Sequence, residues 1–169
     1  MYRKRYVTVR LPQIGTAHIE SLLSWCFRLP PGFSFKLLTD EYAKISNDTW
    51  PHKHSGSIWY YHLLIKAKLG YGLFKDDELV AWCYVKEMGA LGHLYTLEQH
   101  RRKGFGELVL KLISNTLRRE GKVVIAFCVV GNDAARNLYQ KLNFSLTDEV
   151  KWYQAYTKVG IKIKCLVIL

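Results

Sequence analysis

Long apolar runs, paired cysteines and acidic side chains are scarce in this sequence of 169 residues. No run approaches the roughly 20 apolar residues that cross a bilayer, so we expect no transmembrane segment. The four cysteines stand far apart without a Cys-x-x-Cys pair, which argues against a disulfide scaffold and indicates reduced, buried thiols. Lysine and arginine outnumber aspartate and glutamate by 25 to 14, and this net charge of +11 indicates attraction to polyanions. Nucleic acid, acidic membrane and phosphate-bearing small molecules all meet that condition.

The composition is typical of a folded domain, because hydrophobic residues make up 49% of the chain and charged residues 23%. A chain of this length buries around two thirds of the surface that its unfolded form exposes. We therefore expect one compact domain whose core needs neither disulfides nor a metal. Residues 1–10 lack the apolar segment of a secretion signal. They contain cations and no acidic residue, so a mitochondrial transit peptide remains an alternative. A cytoplasmic or mitochondrial location is the expectation.

Strand-like and helix-like segments alternate along the chain, which predicts an α/β domain. Strands are predicted at residues 33–38, 70–74, 79–85, 92–97, 123–130, 144–146 and 150–156. Helices are predicted at about residues 40–47, 57–68, 107–120 and 132–142. The polar turn at residues 75–78 predicts an antiparallel hairpin, and the valine-rich run at 123–130 predicts a central strand covered on both faces.

The segment Arg101-Arg102-Lys103-Gly104-Phe105-Gly106 joins a predicted strand to the clearest amphipathic helix. A helix N-terminus offers free backbone N–H groups and the positive end of the helix dipole, and glycines let an anion approach the backbone. No Gly-Lys-Ser/Thr follows and a third glycine is missing, so this is neither a Walker loop nor a dinucleotide loop. The segment therefore predicts a phosphate site, with a solvated loop as the alternative.

A second motif lies about 26 residues later, in the helix that follows the valine-rich strand. Together the two motifs resemble the GNAT superfamily of acyl-CoA-dependent N-acyltransferases. Its pyrophosphate loop reads Arg/Gln-x-x-Gly-x-Gly/Ala, and its next helix reads Asn-x-x-Ala-x-x-Leu-Tyr-x-Lys-x-Gly-Phe. The matching residues are Arg101, Gly104 and Gly106, then Asn132, Ala135, Leu138, Tyr139, Lys141 and Phe144. Asn143 replaces the usual glycine, and asparagine tolerates a left-handed backbone.

A narrower resemblance, from about residue 32 to residue 154, is to the C-terminal catalytic half of the glycine N-acyltransferase-like family. It is carried by Asp48-Thr49-Trp50, by Leu79-Val80-Ala81-Trp82 and by the stretch from Leu94 to Gly104. The resemblance implies a single GNAT-like domain at residues 32–156, with a mixed sheet of six to seven strands and about four helices. It also implies a V-shaped splay between the strands at 92–97 and 123–130. Residues 1–31 are then a remnant of the family's N-terminal half, and residues 157–169 a basic and apolar tail or an extra edge strand.

The resemblance implies transfer of an acyl group from acyl-CoA or acetyl-CoA to the amine of a glycine-like amino acid or another small amine, without a metal. A backbone N–H of the strand at 94–97 would stabilise the oxyanion, and Tyr139 would protonate the leaving thiolate. The implied cofactor-binding residues are Leu94, Tyr95, Thr96, Arg101, Arg102, Lys103, Gly104, Phe105, Gly106, Asn132, Ala135, Asn137 and Tyr139.

The general base is less clearly marked. In the glycine N-acyltransferases a glutamate precedes the Tyr-Thr-Leu segment, and the aligned position here is Ala90. The nearest carboxylate is Glu87, which a one-residue bulge would bring into place. Water or His93 is the alternative proton relay, although a satisfied or exposed histidine is the simpler interpretation of His93.

Other interpretations remain open at this stage. A non-catalytic acyl-CoA or polyanion binder would keep the loop and lack the base, and a nucleic-acid module is disfavoured because no RNP-like strand is present. His52 and His54 lack a third ligand nearby, which favours an exposed loop over a metal site. Three tryptophans could line an acyl pocket or pack in the core: Trp50, Trp59 and Trp82. The basic tail at 158–164 could touch an anionic membrane or form a solvated edge. The sequence names neither the acyl chain, nor the amine, nor the oligomeric state.

Overall fold

The strands form two antiparallel groups, each in its own compact unit. The computed structural model describes residues 3–12, 29–156 and 162–168, with side chains at residues 6–12 and 29–150. One unit comprises residues 14–124, and the other comprises residues 1–13 and 125–169. None of the described helices is long and apolar enough to cross a membrane.

The unit of residues 14–124 is built on a four-stranded antiparallel meander. Its strands pair in chain order: β2 (Phe33–Leu37), β3 (Gly70–Lys75), β4 (Glu78–Val85) and β5 (Ala90–Thr96). Asp76 and Asp77 join β3 to β4 with φ values of 46° and 63°. Two left-handed residues are what a tight two-residue hairpin turn requires, so the predicted hairpin is confirmed.

Three α-helices belong to this unit: α1 (Ala43–Asp48), α2 (Ile58–Lys66) and α3 (Phe105–Arg119). Short 3₁₀ turns at Asp40–Tyr42 and Glu98–His100 precede α1 and the loop before α3. The buried stripe of α3 packs on β3, β4 and β5, and the helix stops at Gly121 with a φ of 71°. The predicted helices are therefore confirmed to within a few residues.

One buried cluster of this unit lies under α1 and α2, and four of its nine buried residues are aromatic. Its largest members are Tyr61, Phe74, Trp82 and Tyr84, each at most 1% exposed. Burial of one such side chain is worth about 1.5–3 kcal/mol, so this cluster fixes the two helices on β4. Trp82 is thus a core residue, whereas Trp59 on α2 is 65% exposed.

The unit of residues 1–13 and 125–169 has the strand order β6 (Ile125–Val129), β1 (Arg3–Arg10), β7 (Ser145–Tyr156), β8 (Lys162–Ile168). Helix α4 (Asp133–Lys141) leads from β6 to β7. The Asn132 side chain caps α4 by accepting the Ala135 N–H at 3.1 Å, as predicted. Asn143 has a φ of 60°, so it takes the left-handed position where the motif has glycine.

The sequence analysis missed one strand and divided another. It assigned no strand to Arg3–Arg10, because four cations in eight residues obscure the alternating pattern. It also predicted two short strands where β7 is continuous. The described residues therefore hold eight strands, one more than the six to seven expected. Residues 125–129 alternate between buried and partly exposed, so one face of this strand is less covered than the valine-rich run at 123–130 predicted.

Several predictions concern residues that are described only in part. Residues 162–168 of the predicted tail pair with β7. The rest of the tail, 157–161 and 169, lies outside the described residues, as do residues 1–2 and 13–28 of the predicted segment 1–31. The domain boundaries stay predictions. Cys83 and Cys128 are free and buried, and the side chains of Cys26 and Cys165 lie outside the described part.

Candidate functional site

The loop before α3 has the backbone conformation of an anion site. Arg102 and Gly104 take left-handed conformations, with φ values of 63° and 80°. Gly104 is the N-cap of α3, no described side chain caps the helix, and a Cβ built on Gly104 meets nothing within 4 Å. The first N–H groups of α3 are therefore open to an anion. A shallow depression at this end of the helix is lined by Gly104, Glu107, Leu108 and Lys111.

Arg101 turns back toward β5. Its Nη2 donates to the Tyr95 hydroxyl at 3.2 Å, its Nε to the Thr96 carbonyl at 3.3 Å, and its Nη1 is 3.2 Å from a Glu98 oxygen. The guanidinium also lies 5.4 Å from the Tyr95 ring centroid. Arg101 therefore braces the loop against the strand while remaining exposed, and the other two cations of the loop, Arg102 and Lys103, are exposed as well. Lys103 donates to the Gln99 carbonyl at 3.1 Å.

The first turn of α3 packs closely on β5. A Cβ on Gly106 would lie 3.5 Å from the Thr96 hydroxyl oxygen and 3.9 Å from a Leu94 methyl group. The Phe105 ring packs against Phe33, with ring centroids 5.3 Å apart. The structure thus brings nine predicted cofactor-binding residues together in one unit: Leu94, Tyr95, Thr96, Arg101, Arg102, Lys103, Gly104, Phe105 and Gly106.

Strand β5 carries a bulge next to this loop. Tyr84 pairs with Gly92 and Trp82 pairs with Tyr95, so Cys83 alone on β4 opposes both His93 and Leu94 on β5. His93 is left-handed, with a φ of 51°. A bulge takes its extra residue out of the regular ladder and redirects the local backbone. The bulge suggested by the glycines around residues 89–92 is therefore present, one residue beyond Gly92.

Both ring nitrogens of His93 are hydrogen-bonded. Its Nδ1 lies 2.7 Å from the Tyr61 hydroxyl, and its Nε2 lies 3.3 Å from Thr49 Oγ1. The single Thr49 hydroxyl hydrogen is directed at the carbonyls of Ile45 and Ser46, at 2.9 and 3.1 Å, so toward His93 this oxygen accepts. The network therefore assigns the proton to Nε2, and the bare Nδ1 accepts from Tyr61.

Burial favours the neutral forms of His93 and of the two tyrosines beside it. It lowers the pKa of His93 to about 3, with the Lys86 charge as a smaller cause. Burial also raises the pKa of the Tyr61 hydroxyl above its usual range, and raises that of Tyr84 to about 12 against the lowering effect of its hydrogen bond to Ser46. His93 is therefore a neutral imidazole, and the interpretation of it as a satisfied histidine is confirmed.

A cage of aromatic rings surrounds the ammonium of Lys86. The Nζ atom lies 4.7 to 5.8 Å from four ring centroids. The rings belong to Trp50, Tyr60, Tyr61 and Tyr84. Cation–π attraction of this kind is worth about 0.5–2 kcal/mol for each well-placed ring, so the cage stabilises a charge beside the bulge.

Glu87 stands at the rim of this cluster. It is exposed and accepts a hydrogen bond from the Tyr60 hydroxyl. Ala90, the position aligned with the family's glutamate, is 0% exposed. The sequence analysis missed the roles of Tyr60 and Tyr61. The run Trp59-Tyr60-Tyr61 near the start of α2 was the signal that could have indicated these roles. Consecutive residues on a helix point in different directions, so consecutive aromatic side chains contact different partners.

The remaining predicted residues belong to the other unit. Tyr139 is 7% exposed and packs its ring on Phe144, with centroids 5.2 Å apart. Ala135 and Asn137 lie on the same helix, α4, and Asn137 is exposed. Within the described residues no group of three or more His, Cys, Asp or Glu side chains could hold a metal ion.

Comparisons with known proteins identify the fold. A family model described as "FR47-like protein" matches residues 70–153, from β3 into β7. A Drosophila protein of known structure superposes with a TM-score of 0.75 at 25% identity, over 89% of this chain and 50% of that one. A Novosphingobium aromaticivorans protein described as a GNAT-family acetyltransferase has a TM-score of 0.64 at 15% identity, over 89% and 63%. The chain has the GNAT fold. The predicted fold class is thereby confirmed.

A further similar structure is Arabidopsis thaliana Naa50 in complex with the bisubstrate analogue CoA-Ac-MVNAL. It has a TM-score of 0.55 at 22% identity, over 81% of this chain and 97% of Naa50. The first two structures are longer, and this chain spans 50% and 63% of their lengths. Among curated proteins, none matches the sequence at a significant level. The glycine N-acyltransferase-like resemblance and the splay between residues 92–97 and 123–130 stay predictions.

Two glycines of α3 provide a matched test of the anion loop. Gly104 and Gly121 stand at opposite ends of the helix with φ values of 80° and 71°, and a Cβ on either meets nothing within 4 Å. Valine at either position therefore costs a similar amount, about 1–2 kcal/mol, through the left-handed backbone. We expect Gly104→Val to abolish the thermal shift that CoA produces and Gly121→Val to retain it. Equal CoA shifts in both variants would contradict the anion-site interpretation.

His93 predicts how stability depends on pH. Its pKa is about 3 when folded against 6.5 when unfolded, so the unfolded chain binds more protons between these values and stability falls as pH falls through this window. The stability difference between wild type and His93→Asn should therefore shrink from pH 7 to pH 5, by at most about 1.4 kcal/mol per pH unit. Urea unfolding at several pH values measures it, with exposed His54→Asn as control. A constant difference would contradict a buried neutral imidazole.

Proposed function

We propose that the protein is an acyl-CoA-dependent N-acyltransferase that acts on a small amine, with glycine-like amino acids as the first acceptors to test. The observation that carries the proposal is the open, glycine-capped N-terminus of α3 packed directly against a bulged β5. The helix N-terminus is suited to bind a diphosphate, and the bulged strand is suited to bind a thioester carbonyl. The CoA-containing bisubstrate analogue bound by Naa50, which shares the fold, supports the choice of CoA.

The diphosphate of CoA would lie at the N-terminus of α3. Gly104 leaves the backbone uncovered there, and Arg102 and Lys103 are exposed cations beside it. Charge-assisted contacts to phosphate oxygens are roughly twice as strong as neutral hydrogen bonds. Arg101 holds the loop to Tyr95 and Thr96, so its part in binding is to keep the loop in this conformation.

The oxyanion that forms when an amine attacks the thioester needs a donor already in place. In β5 the bulge at His93 and Leu94 takes backbone N–H groups out of the regular ladder with β4. A fixed backbone donor of this kind lowers the barrier because it needs no reorganisation during the reaction. The resemblance to the GNAT superfamily assigns Tyr139 as the residue that would protonate the CoA thiolate.

The proton of the acceptor ammonium would go to Glu87, directly or through water. Glu87 is exposed, and the Tyr60 hydroxyl donates to it and limits where its carboxylate can lie. His93 is a poor alternative, because both ring nitrogens are engaged and its pKa is about 3. A cytoplasmic or mitochondrial location stays part of the proposal.

One observation favours a second candidate, a non-catalytic acyl-CoA-binding domain. The position aligned with the family's glutamate is Ala90, which is fully buried. A carboxylate placed there would be desolvated, so Ala90→Glu is expected to destabilise the chain rather than to restore a base. Under this candidate CoA binds, but no acceptor increases the release of thiol.

Thiol release from a panel of acyl-CoAs with amino acids and plain amines separates the two candidates. We expect turnover that depends on the amine, and Tyr139→Phe should lower kcat about 10- to 1000-fold while CoA binding persists. Tyr71→Phe, a tyrosine stacked on Phe35 in β2, is the control and should keep wild-type turnover. CoA binding without thiol release for any amine would leave the non-catalytic candidate, and an unaffected Tyr139→Phe would leave Tyr139 as a packing residue.

The base is tested by pH. Glu87→Gln should lower turnover most at neutral pH, by about 10²- to 10⁴-fold, and the loss should diminish as pH approaches the acceptor's own pKa, where more free amine is present. Tyr60→Phe keeps the carboxylate and removes its hydrogen bond, so a smaller loss with the same pH trend is expected. Asp77→Asn, at the other hairpin turn, is the control. A Glu87→Gln profile that overlays wild type removes Glu87 from the mechanism.

A further inference from the structure

His93 has an unusual backbone for its position. Of the described residues other than glycine, six have a positive φ, and five of these lie in turns, loops or just beyond helix ends: Lys68, Asp76, Asp77, Arg102 and Asn143. The sixth, His93, lies inside strand β5 with a φ of 51°. A left-handed residue with a side chain costs about 1–2 kcal/mol, and such conformations persist only where surrounding contacts enforce them.

The contacts that enforce it come from three elements. Tyr61 of α2 donates to Nδ1 at 2.7 Å, and Thr49 at the C-terminus of α1 accepts from Nε2 at 3.3 Å. The ring of Tyr84 on β4 stacks on the imidazole, with an interplanar angle of 17° and centroids 6.0 Å apart. The side chain of His93 is therefore fixed at both ends and on one face.

Fixing this side chain fixes the register of β5. One residue on β4 opposes two on β5 at the bulge, and in a strand a slip of one residue sends every side chain to the opposite face. Leu94 in the bulge and Thr96 beyond it are the residues that a Cβ on Gly106 of α3 would approach. The anchoring of His93 thus determines where the backbone donors of the bulge lie relative to the anion loop.

We propose that His93 is a positioning residue for acyl transfer, and that its hydrogen bonds to Tyr61 and Thr49 hold the bulge of β5 in the conformation that the transfer requires. This rests on the proposed function. His93 exchanges no proton in the reaction, because the Nδ1 lone pair accepts from Tyr61 and the Nε2 proton is donated to Thr49. The charged group that faces the imidazole is Lys86, and the hydroxyls of Thr49 and Tyr61 are hydrogen-bonded to it. The other neighbours of the imidazole are the aromatic rings of Trp82, Tyr84 and Tyr95.

The test compares three variants. Tyr61→Phe removes one hydrogen bond and leaves His93 in place, and His93→Asn keeps a residue that tolerates the left-handed backbone but is too short to reach both partners. Ser46→Ala is the matched control. It removes a buried hydrogen bond of 2.7 Å to Tyr84 in the same aromatic cluster without touching His93.

We expect Tyr61→Phe and His93→Asn to lower kcat about 10- to 100-fold, as a misplacement near 1 Å does. The loss should be the same at every pH from 6 to 9, and the KM for acyl-CoA and the CoA-induced thermal shift should stay at wild-type values. Ser46→Ala should lose thermal stability with little change in kcat. Amide hydrogen exchange, which needs no activity, should increase in residues 91–96 of the first two variants and not in Ser46→Ala.

Each other outcome overturns the proposal. A loss that depends on pH would make His93 a proton carrier, and an equal loss in Ser46→Ala would make the effect one of general destabilisation. Unchanged kcat or unchanged exchange in Tyr61→Phe and His93→Asn would show that the bulge holds without the anchor. A wild-type protein that releases no thiol with any amine refutes the proposed function instead, and the positioning role with it, whereas the exchange data still decide whether His93 holds the bulge.

Discussion

The extra residue in β5 is the constraint on which the candidate site depends. Because His93 and Leu94 together oppose one residue of β4, the strand has to change direction between Gly92 and Tyr95. The strand must still present Leu94 and Thr96 to the first turn of α3. A regular strand would present Leu94 and Thr96 but would not redirect a backbone donor. A looser strand would offer donors without a fixed position. The left-handed His93, anchored through its side chain, satisfies both requirements.

The cations of the loop divide into one that supports the backbone and others that face solvent. Arg101 uses its guanidinium on Tyr95, Thr96 and Glu98, so the residue that opens the motif mainly fixes the loop to the strand. Tyr95 in turn stacks on Trp82, with centroids 4.9 Å apart. The conformation of the anion loop and the packing of the aromatic core are therefore linked through one tyrosine. This link helps to hold a loop of high charge density in a defined conformation.

The sequence could predict those features that depend on neighbours in the chain. The amphipathic period of α3, its glycine stop, the Asn132 cap and the glycines of the loop are all local signals, and the structure has each of them. The anchor of His93 could not be predicted, because its partners Tyr61 and Thr49 lie 32 and 44 residues away. The contacts of Arg101 with β5 could not be predicted for a different reason. The sequence of a cation beside glycines is the same whether its side chain contacts an anion or the preceding strand. Strand β1 was not predicted because its four cations obscure the alternation of apolar and polar residues.

Two consecutive residues of α2 serve the two sides of the proposed reaction centre. Tyr61 donates to the buried His93, and Tyr60 donates to the exposed Glu87. Neighbouring positions on a helix point about 100° apart, so one turn can reach into the core and along the rim at the same time. The ammonium of Lys86 lies between them, within 5.4 Å of both ring centroids, and draws both rings toward the turn that joins β4 to β5. The bulge and the proposed base are therefore both hydrogen-bonded to this one turn of α2, so a change in the turn would affect both.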